Sequence, residues 1–200
     1  MNWSSLVASL AVFVLAVATP GIGSADSGRA KVAPPSKTFD AVGTVEVAFT
    51  PGDRIDNLIV DAIDAAQHEV LVNAYTFTQK RIATALVAAR KRGLAVAVIA
   101  DLQEARSLPQ NVLPQMVTGG VDVWLDGNYQ AAHNKIIVID ADSPKATTIT
   151  GSYNFTVAAQ FHNAENVVIL RNNREVAAAY RDNWERLKAH ATKWSADALR

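Results

Sequence analysis

Leu94 to Ala100 is an unbroken run of seven apolar residues, with Gly93 before it and Asp101 after it. A strand with no polar alternation cannot leave one face in water, so it must be covered on both. Its neighbours fit that demand. Val45 to Phe49 reads as an edge strand, and Pro51-Gly52-Asp53 as a turn. Ile55, Leu58, Ile59, Ala62, Ile63 and Ala66 then recur at helical spacing. Val70 to Phe77 reads as a strand, and Ile82, Leu86 and Ala89 mark a helix stopped at Gly93. Strand–helix–strand–helix–strand is the order of a sheet with helices packed on it. Further on, Val112 to Thr118 reads as a short helix weakened by Pro114. Val121–Leu125, Ala132–Asp140, Ala146–Thr150 and Glu165–Leu170 read as strands. A last helix carries Val176, Tyr180, Trp184 and Leu187 on one side.

The N-terminus reads as a targeting segment. Leu6 to Ala18 is apolar, Pro20-Gly21 breaks the run, and Gly23-Ser24-Ala25 offers the small residues a signal peptidase needs. Residues 1–25 are therefore expected to be a signal peptide, with 26–38 a linker and 39–195 the folded domain. The expected destination is secreted or periplasmic, with no stable membrane insertion once the segment is cleaved. Met1 to Ser5 holds no Lys or Arg, which leaves a membrane anchor over residues 6–22 as the alternative. That stretch is short of the roughly 20 residues a bilayer usually takes.

Nineteen basic and nineteen acidic residues give a formal net charge of +0. This is not the balance of a protein that coats nucleic acid, so an anionic substrate must be drawn in by a local patch. The chain has no cysteine, which excludes thiol catalysis, thiolate metal sites and disulfides.

The chemistry concentrates in Ala132-His133-Asn134-Lys135-Ile136-Ile137-Val138-Ile139-Asp140. If this is one strand, His133 and Lys135 share a face, and Asp140 lies on the other. An acid–base or nucleophilic group then stands beside a fixed cation at the start of an otherwise apolar strand. Downstream comes Gly151-Ser152-Tyr153-Asn154-Phe155-Thr156, where Gly151 permits a sharp turn. Ser152 and Asn154 can both hydrogen-bond an anionic oxygen. Glu165 opens a later strand, where its carboxylate can hold an imidazole in one tautomer. No H-E-x-x-H, no His–carboxylate cluster and no cysteine set appears, so neither a metal nor another cofactor is expected.

H-x-K-x4-D, then G-S-x-N-F, then Glu165-Asn166, resembles the phospholipase D superfamily. More narrowly, the chain resembles the small single-motif, periplasmic Nuc-type endonucleases of bacteria. The likeness runs from about Val45 to Leu187 and includes Ala74-Tyr75-Thr76-Phe77 and Lys91-Arg92-Gly93. It implies an α/β fold: a mixed β-sheet flanked by helices on both faces, one domain per chain. It also implies His133 as a nucleophile forming a phosphohistidine. Lys135, Ser152 and Asn154 match the groups that hold the phosphate, and Glu165 the carboxylate that orients the histidine. Asp140 matches a structural residue. Ala131-Ala132 departs from the polar residue often found before the histidine in relatives.

Displacement at a phosphodiester needs a neutral nucleophile, cations on the phosphorus oxygens and a general acid for the leaving alkoxide. His68, His162 and His190 lie outside the motif, so one chain supplies half of this machinery. A symmetric homodimer with the active site at the subunit interface supplies the rest, and the resemblance implies the same. The expected substrate is nucleic acid, DNA or RNA. Phospholipid, cleaved by a phospholipase D or cardiolipin hydrolase, is the alternative on the same active site. A third reading is a catalytically inactive nucleic-acid or envelope-binding module. Lys80, Arg81, Arg90, Lys91 and Arg92 are either a phosphate-tracking patch or an ordinary solvated helix face.

Overall fold

A computed structural model describes residues 36–195; the signal-peptide reading and most of the linker lie outside them. Eight strands form one sheet in the order β1-β7-β6-β5-β2-β3-β4-β8. They are β1 (Thr44–Thr50), β2 (Glu69–Ala74), β3 (Ala95–Asp101), β4 (Asp122–Asp126), β5 (Lys135–Ile139), β6 (Thr147–Gly151), β7 (Glu165–Arg171) and β8 (Thr192–Lys193). Only β2, β3 and β4 run parallel to one another, and every other pairing is antiparallel. The sheet is mixed, as the resemblance implies.

Helices cover both faces. On one side lie α1 (Ile55–Ala65), α2 (Lys80–Lys91) and α4 (Leu113–Thr118). Their apolar stripes meet Val70, Val72, Val96, Val98, Ile137 and Ile139 in one core. Ile55, Ile59 and Ile63 of α1 are fully buried, each contributing about 1.5–3 kcal/mol of apolar burial. On the other side α6 (Arg174–Lys188) packs Ala177, Trp184 and Leu187 onto Leu71, Ile99, Ile136 and Val138. Consecutive residues of β3 and β5 thus feed opposite cores, which is why both strands read as continuous apolar runs.

Four local outcomes differ from the sequence reading. The second strand stops at Ala74, and Phe77 instead forms an isolated bridge to Phe155. Pro114 does not weaken α4, because it falls in the first turn, where no N–H is required. The short helices α3 (Leu102–Ser107) and α5 (Val157–Phe161) have too few turns to show a period. Of the five basic residues around α2, three serve the scaffold: Arg81 pairs with Asp56, Arg90 donates to the carbonyls of Gly120 and Leu94, and Arg92 donates to that of Ile63.

Candidate active site

The topology brings distant residues to one edge of the sheet. The carboxyl ends of β2, β3 and β4 lie there because the three strands are parallel. Strand β5 runs against β2, β6 against β5, and β7 against β6. The start of β5, the end of β6 and the start of β7 therefore reach the same edge. It carries Asn73, Tyr75, Asp101, Asp126, His133, Lys135, Ser152, Asn154 and Glu165. Open α/β sheets bind ligands in the crevice beyond the carboxyl ends of their parallel strands.

His133 lies before β5 rather than in it, which corrects the single-strand reading of Ala132–Asp140. The ladder with β2 ends at the pair Ala74–Lys135. The cause is Asp101, whose buried carboxylate accepts the Ala132 N–H at 2.7 Å and the Glu104 N–H at 2.8 Å. One side chain thus caps α3 and anchors the segment that carries His133. Strand parity consequently does not set the direction of the His133 side chain. Its exposed imidazole rests on Tyr75, with ring centroids 4.3 Å apart and planes tilted by 58°.

Lys135 is 7% exposed. Its ammonium donates to the His133 carbonyl at 3.0 Å and lies 4.8 Å from the centre of the Tyr75 ring. Burial pushes its pKa down, and the carboxylates of Glu165 and Glu104 partly offset that. Burial also pushes the Tyr75 phenol up, together with Glu104 and Asp101.

Gly151 closes β6 where β7 comes closest. A Cβ there would sit 2.2 Å from the Asn166 carbonyl oxygen, so close approach of two strands requires the glycine, not a sharp turn. Side chains alternate beyond it: Tyr153 and Phe155 enter the core, while Ser152 and Asn154 stay outside it. Ser152 Oγ donates to Glu165 Oε2 at 2.6 Å and accepts the Asn166 N–H at 3.1 Å. Asn163 donates to Glu165 Oε1 at 2.9 Å. Both oxygens of Glu165 are therefore engaged, and neither bond is to His133. Asn154 Oδ1 is buried without a partner. An orphaned buried acceptor costs about 1–3 kcal/mol. Turning the amide over would put a donor at that position, suited to a phosphate oxygen.

Asp140 stands at the opposite end of β5. Its carboxylate accepts the N–H groups of Gln67, His68 and Glu69 at 2.8–2.9 Å. It ties the α1–β2 turn to the sheet and is remote from the imidazole by the length of the strand, about 17 Å at 3.4 Å per residue.

Sequence reasoning missed Asp101, Glu104 and Asn73 and gave Tyr75 no role. A signal did exist for two of them, since Asp101-Leu102-Gln103-Glu104 has the spacing of a helix cap. Among the described residues, no group of three or more His, Cys, Asp or Glu side chains is placed to hold a metal ion.

Residues 59–188 match the family model described as "Cardiolipin synthase, PLD-like domain". A Rickettsia felis protein named phospholipase D is 37% identical over 145 residues, which is 72% of this chain and 70% of that protein. A mitochondrial cardiolipin hydrolase of Xenopus tropicalis is 31% identical over 122 residues, 61% of this chain and 55% of that one. The crystal structure of Nuc from Salmonella typhimurium, a phospholipase D family member, aligns with a TM-score of 0.71 at 30% identity. That alignment covers 76% of this chain and 99% of Nuc.

Proposed function

The chain belongs to the phospholipase D superfamily and is a phosphodiesterase of that kind, and from this premise we propose that it is an exported, metal-independent endonuclease working through His133. The observation that carries the reading is the convergence of His133, Lys135, Ser152, Asn154 and Glu165 on one edge of the sheet, at the ends of three different strands.

In this reading a neutral His133 imidazole nitrogen attacks phosphorus, and the P–O bond to the leaving group breaks. A second His133, from a partner subunit, gives its proton to the leaving oxygen. Water then attacks the phosphohistidine and surrenders a proton to that second imidazole, and the P–N bond breaks. Lys135 and Asn154 hold the phosphorus oxygens. Ser152 trades its bond to Glu165 for one to the phosphate, which frees Glu165 to orient the imidazole. His133 must turn off Tyr75 to meet it.

Two features support nucleic acid over lipid. The narrower likeness is to single-motif endonucleases, and the cleft beside His133 presents Asn73, Asn134, Asn183, Asp126 and Arg186 alongside Ala131, Ala132 and Leu187. The names of the Rickettsia and Xenopus relatives favour the second reading, hydrolysis of phospholipid headgroups. Residues 1–25 fit export with cleavage after Ala25; sequencing the N-terminus of the mature protein tests that.

One panel separates the two substrates. Purified protein in EDTA is offered plasmid DNA, RNA, phosphatidylcholine and cardiolipin, beside His133→Ala. We expect nucleic acid to be cut in chelator and the cutting to fall by at least about 10⁴-fold in the variant, a typical loss for an essential nucleophile. Turnover of lipid alone would reject the nuclease reading, and loss of activity in EDTA restored by zinc would reject the metal-free one.

A further inference from the structure

A cleft of about 390 Å³ opens beside His133, on the face of the sheet that α6 covers. Asn73, Asp126, Tyr129, Asn134 and Asn183 line it, with Arg186 among them. The phosphate chemistry uses none of these groups.

Its floor is Asn73, on β2. The residue is 4% exposed, and its side chain lines the cleft. Asp126 is 1% exposed. Its Oδ1 accepts from Asn128, and its carboxylate lines the cleft. The Asn134 amide lines it as well. The floor therefore presents donors and acceptors side by side, and the exposed ring of Tyr129 stands with them.

That is the complement of a nucleobase. Asparagine amides and carboxylates pair with the mixed donor–acceptor edges of bases. An exposed aromatic ring supplies the stacking face. The volume suits one nucleoside, falling within the roughly 300–1,000 Å³ of small-molecule sites. An acyl chain would offer the Asn73 and Asn134 amides no partner, and Arg186, which donates to Asn183, would repel a cationic headgroup.

We propose that this cleft is a base-binding subsite, seating one nucleobase, swung clear of pairing, next to the phosphate that His133 attacks. The inference rests on the nuclease reading above. It makes the enzyme discriminate among nucleotides flanking the cut.

The test uses a single-stranded oligonucleotide in which one linkage is a phosphodiester and all others are uncharged methylphosphonates. The nucleotide on either side of that linkage carries each of the four bases in turn, or none. For the wild type we expect removal of one particular flanking base to lower kcat/KM by about tenfold, the scale of one stacked base. Tyr129→Ala, a change at an exposed residue, should erase most of that difference. Asn73→Asp, which exchanges a donor for an acceptor, should reorder the preference among the four bases. Equal cleavage of intact and abasic strands, within twofold, overturns the subsite while uniform cutting of DNA still upholds the nuclease. Failure to cut any nucleic acid, with turnover of phospholipid, overturns both.

Discussion

The Lys135 ammonium sits where water scarcely reaches it, with a carbonyl and an aromatic face as its direct partners. Burial lowers its pKa more than Glu165 and Glu104 raise it. The folded protein thus releases this proton at a lower pH than the unfolded chain does. Between the two values the unfolded chain binds more protons, so stability rises with pH across that window. Below the window both states are protonated and the full cost of the buried charge is present. Lys135→Met, of similar length and without charge, removes that cost. We expect its melting temperature at neutral pH to match or exceed that of the wild type, and its dependence on pH near the lysine range to flatten. Turnover should fall by about 10²–10³-fold, the usual effect of removing one group that stabilises transition-state charge. Paired thermal melts and kinetics decide it. A variant that is less stable yet fully active would show that Lys135 is a structural residue.

At the scale of elements, strands β5 and β6 carry the site at one end and its supports elsewhere. Asp140 holds three backbone N–H groups through one carboxylate. Asp140→Ala should lose about 2–4 kcal/mol in urea unfolding, since charge-assisted bonds are the stronger kind. Its kcat per folded molecule should stay within a few-fold of the wild type, because the carboxylate lies a strand's length from His133. Gly151→Ala should behave differently. The new Cβ collides with the backbone of β7 at Asn166, so β6 and β7 must part. Ser152 and Glu165, one on each side of that contact, would separate from their 2.6 Å bond. Stability and activity should fall together, and a crystal structure of the variant should show the two strands displaced. The central strands were legible because they feed two cores: Leu94–Ala100 could be read as a doubly covered strand from seven letters. The start of β5 was not. It depends on a bond between Asp101 and Ala132, thirty-one residues apart, and no local pattern carries that. The motif residues were readable as a set, whereas the contacts of Tyr75 and Glu165 needed coordinates.

At the scale of the whole molecule, the described residues leave one flank of the sheet bare. Helix α6 covers β2, β3 and β5, but the same face continues across β7 to the edge strand β1. There Val45, Val47 and Phe49 are 64%, 55% and 57% exposed, on alternate residues of one strand. Their partners Leu170, Val168 and Asn166 extend the patch inward, and Asn166 contacts Ser152 at the site. In the proposed two-histidine mechanism one chain supplies half of the site, and we expect a second copy to dock on this apolar flank, which ends at that half-site and which no described residue covers. A two-fold interface uses the same patch on both subunits and needs about 800 Å² from each. Val47→Glu introduces a charge that desolvates badly in such an interface. It should leave the isolated fold within about 0.5 kcal/mol, as exposed substitutions usually do. We expect wild-type protein to sediment as a dimer and the variant as a monomer, with turnover reduced at least about 100-fold. Specific activity of the wild type should also fall on dilution as the dimer dissociates, which no folding defect would mimic. A monomeric variant that turns over at the wild-type rate would mean that one His133 suffices and that the flank serves another partner.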